Sequence, residues 1–136
     1  MLLYEYAEPA LRPEDREGVI SLWMRDDLQK RQRVQLQQKL DRLAQVDYDI
    51  ARDWLAGTDA PGIFKLRLRG NVQVRPLCCY GPALPKAEIT FLLGVTKKGG
   101  GDVKKNDLDR AGARRLQIEV DSNWRIPYEQ TKEAPN

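Results

Sequence analysis

The stretch Gly62-Ile-Phe-Lys-Leu-Arg-Leu-Arg-Gly-Asn-Val-Gln-Val-Arg-Pro-Leu-Cys-Cys-Tyr80 decides how this chain is read. Phe64, Leu66 and Leu68 alternate with Lys65, Arg67 and Arg69, the period of a strand with one face in a core and the other entirely cationic. Gly70-Asn71 follows, a pair suited to a tight turn. Val72, Val74, Leu77, Cys78, Cys79 and Tyr80 form a second strand, so the stretch predicts a β-hairpin. Centred on Gly70-Asn71, the hairpin sets Arg69 near Val72 and Lys65 near Pro76, with Arg67 and Arg75 diagonal to each other. Pro76 cannot donate a ladder hydrogen bond, which predicts an edge strand or a bulge there.

Downstream, Gly81-Pro82 and Pro85 mark a loop. A strand over Glu88–Thr96 is apolar on both faces, as a covered strand should be. Lys97-Lys98 end it and Gly99-Gly100-Gly101 link it onward. Residues 102–120 predict a helix, with Leu108, Gly112, Leu116 and Val120 recurring at i+4. Upstream, Leu2–Tyr6 predicts a short first strand. Pro13 followed by Glu14 and Asp15 predicts a helix start. Val19, Leu22 and Trp23 recur at i, i+3 and i+4, and Ile20, Met24 and Leu28 at i, i+4 and i+8, which predicts a well-buried helix. Leu36, Leu40 and Leu43 define an apolar stripe, within a stretch from about Asp27 to Ala44 whose Lys30, Arg31, Arg33, Lys39 and Arg42 lie mostly off it. The stretch is compatible with two helices or one bent helix. The expected order is β-α-α-β-β-β-α, a small α+β domain over residues 1–121 with helices on one face of a mostly antiparallel sheet. Residues 122–136 are expected to be an irregular tail.

The 136 residues carry a net charge of only +3, but unevenly. Residues 1–61 are net −3, residues 62–120 net +7 and residues 121–136 net −1. The absence of His excludes His-based zinc sites and Ser–His or Cys–His nucleophiles. The two cysteines are adjacent, which neither staples a fold nor builds a Cys-rich metal site, and suits a reduced, cytoplasmic protein. No run is long and apolar enough to span a membrane, and the acidic start is unlike a signal peptide. No cofactor or metal is expected. The cationic strand face, with Arg75 beside it, admits two readings. It is a solvated face that discourages edge aggregation, or a surface that binds phosphates through Arg and Lys.

Taken together, Gly62-Ile-Phe-Lys-Leu-Arg-Leu-Arg69, Val-Gln-Val-Arg75-Pro-Leu, Ile89-Thr-Phe-Leu-Leu-Gly-Val-Thr-Lys97-Lys98 and a final helix with Ala111 and Arg114-Arg115 resemble the RelE/HigB toxin superfamily, closest to its phage-derived branch. The order and spacing match over roughly residues 16–120. The resemblance implies the toxin component of a type II toxin-antitoxin system. Such a protein is a metal-independent endoribonuclease that cleaves mRNA on the ribosome (an mRNA interferase) and pairs with a cognate antitoxin, often a helix-turn-helix protein. It implies Arg67, Arg75, Lys97 and Lys98 as the catalytic group and Lys65, Arg69, Lys104 and Lys105 as RNA-binding residues. Attack by a 2′-hydroxyl needs a base, charge stabilisation and an acid. Without His, Tyr80 and Tyr128 are the aromatic candidates for proton transfer. The alternative is a non-catalytic, phage-derived protein of the same fold that binds RNA or a protein partner.

Overall fold

The computed structural model describes residues 1–68, 70, 74–96 and 103–129. Four helices and six strands follow in the order β1 (Leu2–Tyr6), α1 (Val19–Asp26), α2 (Lys30–Leu43), α3 (Tyr48–Trp54), β2 (Leu55–Gly57), β3 (Phe64–Leu66), β4 (Val74–Tyr80), β5 (Glu88–Thr96), α4 (Lys105–Val120) and β6 (Arg125–Pro127). The strands form one sheet in the order β2-β3-β4-β5-β1-β6. The fold is α+β, but the sheet is mixed, because β1 runs parallel to β5 while the other pairs are antiparallel.

Helices cover both faces of this sheet rather than the single face expected. Strand side chains alternate, so each strand feeds two cores. Leu3, Leu66, Leu68, Val74, Cys78, Ile89 and Phe91 pack with Ile20, Trp23 and Met24 of α1, Leu36, Leu40 and Leu43 of α2 and Ala51 of α3. Tyr6, Ile63, Leu77, Cys79, Leu92, Leu93 and Val95 pack with Leu108, Ala111 and Ile118 of α4. The expected α4 stripe was rotated from the true one: Leu116 and Val120 are exposed, and Ala111 and Ile118 are buried. Spacing of i+4 through Gly112 supplied the wrong face, because Gly112 has no side chain to bury.

The strand carrying Pro76 lies between β3 and β5 in the sheet order, but at Pro76 itself the described pairing is to β5 alone, as expected of a local edge. The irregularity that proline predicts falls one residue on. Leu77 pairs with Leu93 but Cys78 pairs with Phe91, so Leu92 is an extra residue in β5. The bulge lets Leu92 and Leu93 both serve the α4-side core. The β3–β4 register is Phe64↔Cys78 and Lys65↔Leu77, one residue from the expected Lys65–Pro76 pairing, and the described pairing ends before Pro76. Gly70 has φ of 75°, as a tight turn requires; Asn71 and Val72 lie outside the described residues.

The N-terminal half also departs from expectation. Pro13–Asp15 is a single 3-10 turn, and the helix begins at Val19. Two helices follow, separated at Asp27–Gln29, where Gln29 and Gln32 cap the start of α2 reciprocally. The buried carboxylate of Glu5, on β1, accepts from the amides of Ile20 and Ser21 and the Ser21 hydroxyl at 3.0, 2.8 and 2.6 Å. It therefore satisfies open amides of the first turn of α1 from another element. Burial pushes the Glu5 carboxyl's pKa up, against these hydrogen bonds. Residues 125–127, expected in an irregular tail, form β6 against β1.

Candidate nucleic-acid interface

Alternation fixes which side each cation takes. Ile63 belongs to the α4-side core, so Lys65 and Arg67 share its side, while Phe64, Leu66 and Leu68 turn toward α1–α3. Leu77 and Cys79 also belong to the α4 side, and Arg75 alternates with them. The described β3–β4 register ends at Lys65↔Leu77, and Arg67 follows just beyond β3 at the end of the sheet where β4 carries Arg75.

The start of α4 reaches the same place. Val74 pairs with Thr96, so β5 ends where β4 begins, and the chain returns at Val103, which is buried in the α4-side core with Leu108. A cavity of about 200 Å³ is lined by Gly57, Thr58, Asp59, Lys65, Val103 and Leu108. Lys65 therefore borders the first turn of α4, beside Lys104 and Lys105, both exposed. The structure thus gathers Lys65, Arg67, Arg75, Lys104 and Lys105 at one end of one sheet face. Lys97, Lys98 and Arg69, expected in the same group, lie outside the described residues.

The members differ in access. Arg67, Lys104 and Lys105 are exposed and Lys65 is half-buried. Arg75 is buried, at 8% exposure. Among the described residues, no carboxylate forms an ion pair with Lys65, Arg67, Lys104 or Lys105. Asp59 shares the cavity lining with Lys65, but the cations here outnumber it, and the resulting positive potential favours an anion.

The expected proton-transfer groups are elsewhere. Tyr80 sits on the α1–α3 side at the far end of β4, packed on Phe64 and Tyr48 with ring centroids 5.1 and 5.2 Å away. Burial pushes its pKa up to about 12. Tyr128 packs against the α1–α3 core and donates its backbone N–H to Leu3. Both cysteine thiols are buried and their pKa values are pushed up by burial, Cys79 to about 12. Neither is a thiolate nucleophile near neutral pH. Among the described residues no cluster of three or more Cys, Asp or Glu is arranged to hold a metal, and no helix is long and apolar enough to cross a membrane.

One polar site had no sequence signal. At the opposite end of β5, Arg125 makes a two-pronged contact with Glu88 at 3.3 Å to each carboxylate oxygen. It also donates to the Gly81 carbonyl and Thr90 hydroxyl and lies 3.7 Å from the centroid of the Tyr4 ring. Glu88 further accepts from the amides of Ala83 and Leu84. Burial opposes ionisation of Glu88, but the Leu84 amide, Arg125 and the Ala83 amide outweigh it and hold its pKa below the usual carboxylate value. Residues 37 apart in sequence carry no periodic mark of their pairing. A larger groove of about 770 Å³ lies on the α1 side, and its walls mix Glu14, Glu17 and Glu129 with Arg16, Arg25 and Arg33. Its mixed charge gives it no preference for an anion.

No protein-family model matches the chain, and neither a curated protein nor a solved structure matches it.

Proposed function

We propose that this chain binds RNA through the cationic end of its sheet and acts there as a toxin-type endoribonuclease on ribosome-bound mRNA. The observation that carries the reading is the convergence of Lys65, Arg67, Arg75, Lys104 and Lys105 on the α4 side of one sheet end, with no carboxylate paired to the four more accessible members among the described residues. Lys97 and Lys98 follow Thr96 directly in the chain. Attack of a 2′-hydroxyl on the adjacent phosphorus builds negative charge on the phosphorane oxygens. Arg67, exposed and at the same end of the sheet as Arg75, suits the stabilisation of that charge by paired donors. Lys65, Lys104 and Lys105 suit the flanking phosphates. A cognate antitoxin, helix-turn-helix in type, would cover this surface.

Expression of the wild-type chain is expected to arrest growth and to generate new 5′ ends in messages, with a neighbouring gene product relieving both. Arg67→Ala should relieve arrest while leaving the melting temperature unchanged. Equal growth and equal message integrity for wild type and Arg67→Ala would defeat the enzymatic reading.

A second reading is favoured by the placement of Tyr80 and Tyr128 away from the cations and by the neutral thiols of Cys78 and Cys79. In it the same surface binds RNA without cutting. Its signature is retention on RNA that weakens steeply with salt and produces no new 5′ ends.

A further inference from the structure

The net charge of −3 over residues 1–61 conceals a segregation. The fourteen residues of α2 hold five Lys/Arg and one acid, Asp41, whereas the remainder of that half holds four Lys/Arg and eleven acids. The positive charge is thus concentrated on one helix, in the layer on the opposite side of the sheet from α4.

Helical spacing arranges it. Leu36, Leu40 and Leu43 are fully buried and take up the apolar face. Arg31, Gln35, Gln38, Lys39 and Arg42 recur at i, i+4, i+7, i+8 and i+11, a single stripe about 16 Å long on the helix surface. Arg31, Gln38 and Arg42 are exposed. The Lys39 ammonium lies 4.1 Å from the centroid of the Trp54 ring, which holds its stem against the protein. Burial and then the nearby Arg42 push the Lys39 pKa down. Among the described residues no ion pair engages Lys30, Arg31, Arg33, Lys39 or Arg42.

We infer that the exposed Arg31–Gln38–Arg42 stripe of α2 is a second RNA-binding surface, taking the sugar-phosphate backbone of a duplex stem on the face opposite the first. At about 16 Å the stripe is long enough to meet several phosphates along one strand of a stem. Glutamine amides between the cations both donate and accept, which suits 2′-hydroxyls. A lipid surface fits less well, since a helix that lies on a membrane must offer its apolar face, and here that face is in the core. An acidic protein fits less well, since protein interfaces rest on large aromatic or aliphatic anchors, and this face exposes only the small Val34. The inference shares with the proposed function only the choice of RNA, and it uses different residues.

The test is titration of a labelled RNA hairpin with the full chain over a series of salt concentrations. Arg31→Gln/Arg42→Gln should keep the wild-type melting temperature and lower the log affinity against log salt slope by about 1.5, from roughly 0.7–0.9 per cation removed. Arg31→Lys/Arg42→Lys should retain the wild-type slope. Lys104→Gln/Lys105→Gln, on the other face, should lower the slope independently, and the two effects should add. An unchanged slope and affinity for Arg31→Gln/Arg42→Gln would overturn the α2 surface while leaving the sheet-end surface standing. Loss confined to the α2 variant would do the reverse. Wild-type binding to anionic vesicles or polyglutamate as tight as to the hairpin would also overturn it, and no wild-type binding to the hairpin would overturn both.

Discussion

The two ends of strand β5 handle positive charge in opposite ways. At the Glu88 end one arginine, Arg125, is held between a carboxylate, a carbonyl, a hydroxyl and an aromatic ring. At the Thr96 end four accessible cations gather with no carboxylate paired to them among the described residues. The first arrangement is closed and has its counter-charge built in. The second leaves its counter-charge to be supplied from outside. On the proposed function, equal formal charges therefore serve stability at one end and binding at the other. The partners around each group, not the residue type, make that distinction.

The sharpest way to break the comparison is Arg125→Ala. It would leave Glu88, 4% exposed, without its cation. Removing one member of a buried pair typically costs about 3–5 kcal/mol, which urea denaturation would show as a large fall in the midpoint. Adding Glu88→Gln should recover part of the loss, because the amide places no charge in the pocket. A loss below about 1 kcal/mol would mean that this end is as open as the other.

If the Thr96 end carries no structural ion pairs, its rigidity must come from packing. Gly94 lies beneath the indole of Trp23, so that an added Cβ would meet the ring, and the Trp23 Nε1–H donates to Thr96 at 3.0 Å. Gly94→Ala should force Trp23 aside and destabilise by about 1–3 kcal/mol, a smaller loss than at Arg125. Trp23→Phe, which keeps an aromatic ring but loses both the donor and part of the buried indole, should cost about 1–3 kcal/mol.

Residues in contact along the chain were easier to read than residues brought together across it. The alternation from Phe64 to Leu68 showed which side chains enter a core, and β5 was bounded correctly at Glu88 and Thr96 because its apolar run is continuous. The gathering of Lys65, Arg67 and Arg75 followed from the same alternation, although the register was shifted by one residue. The parallel β1–β5 pairing, the position of β6 and the Glu88–Arg125 pair were not legible. Each joins segments far apart in sequence, and local pattern holds no record of which strand becomes a neighbour. Tyr80 and Tyr128, the aromatic candidates for proton transfer, both pack on the α1–α3 side. A phenol can serve as an acid or as core, and only Phe64 and Tyr48 beside Tyr80 decide for core. Charge averaging over residues 1–61 hid α2 in the same way, by summing a basic helix with its acidic surroundings.

The pH dependence separates two buried carboxylates on the structural side of the comparison. Glu5 has its pKa raised in the folded protein, so its contribution is fully present below the unfolded value near 4.5 and is lost as pH rises through the higher folded value. Glu88 has its pKa lowered, so its contribution is present above the unfolded value and is lost as pH falls through the lower folded value. Stability followed by urea midpoint should therefore decline on both sides of the region around pH 4.5. Glu5→Gln should flatten the upper limb alone, and Glu88→Gln the lower limb alone. An upper limb unchanged by Glu5→Gln would assign that decline to another group.

The smallest stability effect should come from the residues with the largest proposed effect on binding. Arg67→Gln/Lys104→Gln/Lys105→Gln removes three accessible cations that pair with no carboxylate among the described residues. Surface changes of this kind move stability by no more than about 0.5 kcal/mol per site, and relief of mutual repulsion opposes any loss. The same triple variant should lower the salt slope for RNA by about 2–3. A native midpoint together with a reduced slope would hold the two ends of β5 apart as binding and structural surfaces. If instead the midpoint fell as far as for Arg125→Ala, these cations would be satisfied within the fold, and the positive end of the sheet would be a second structural lock.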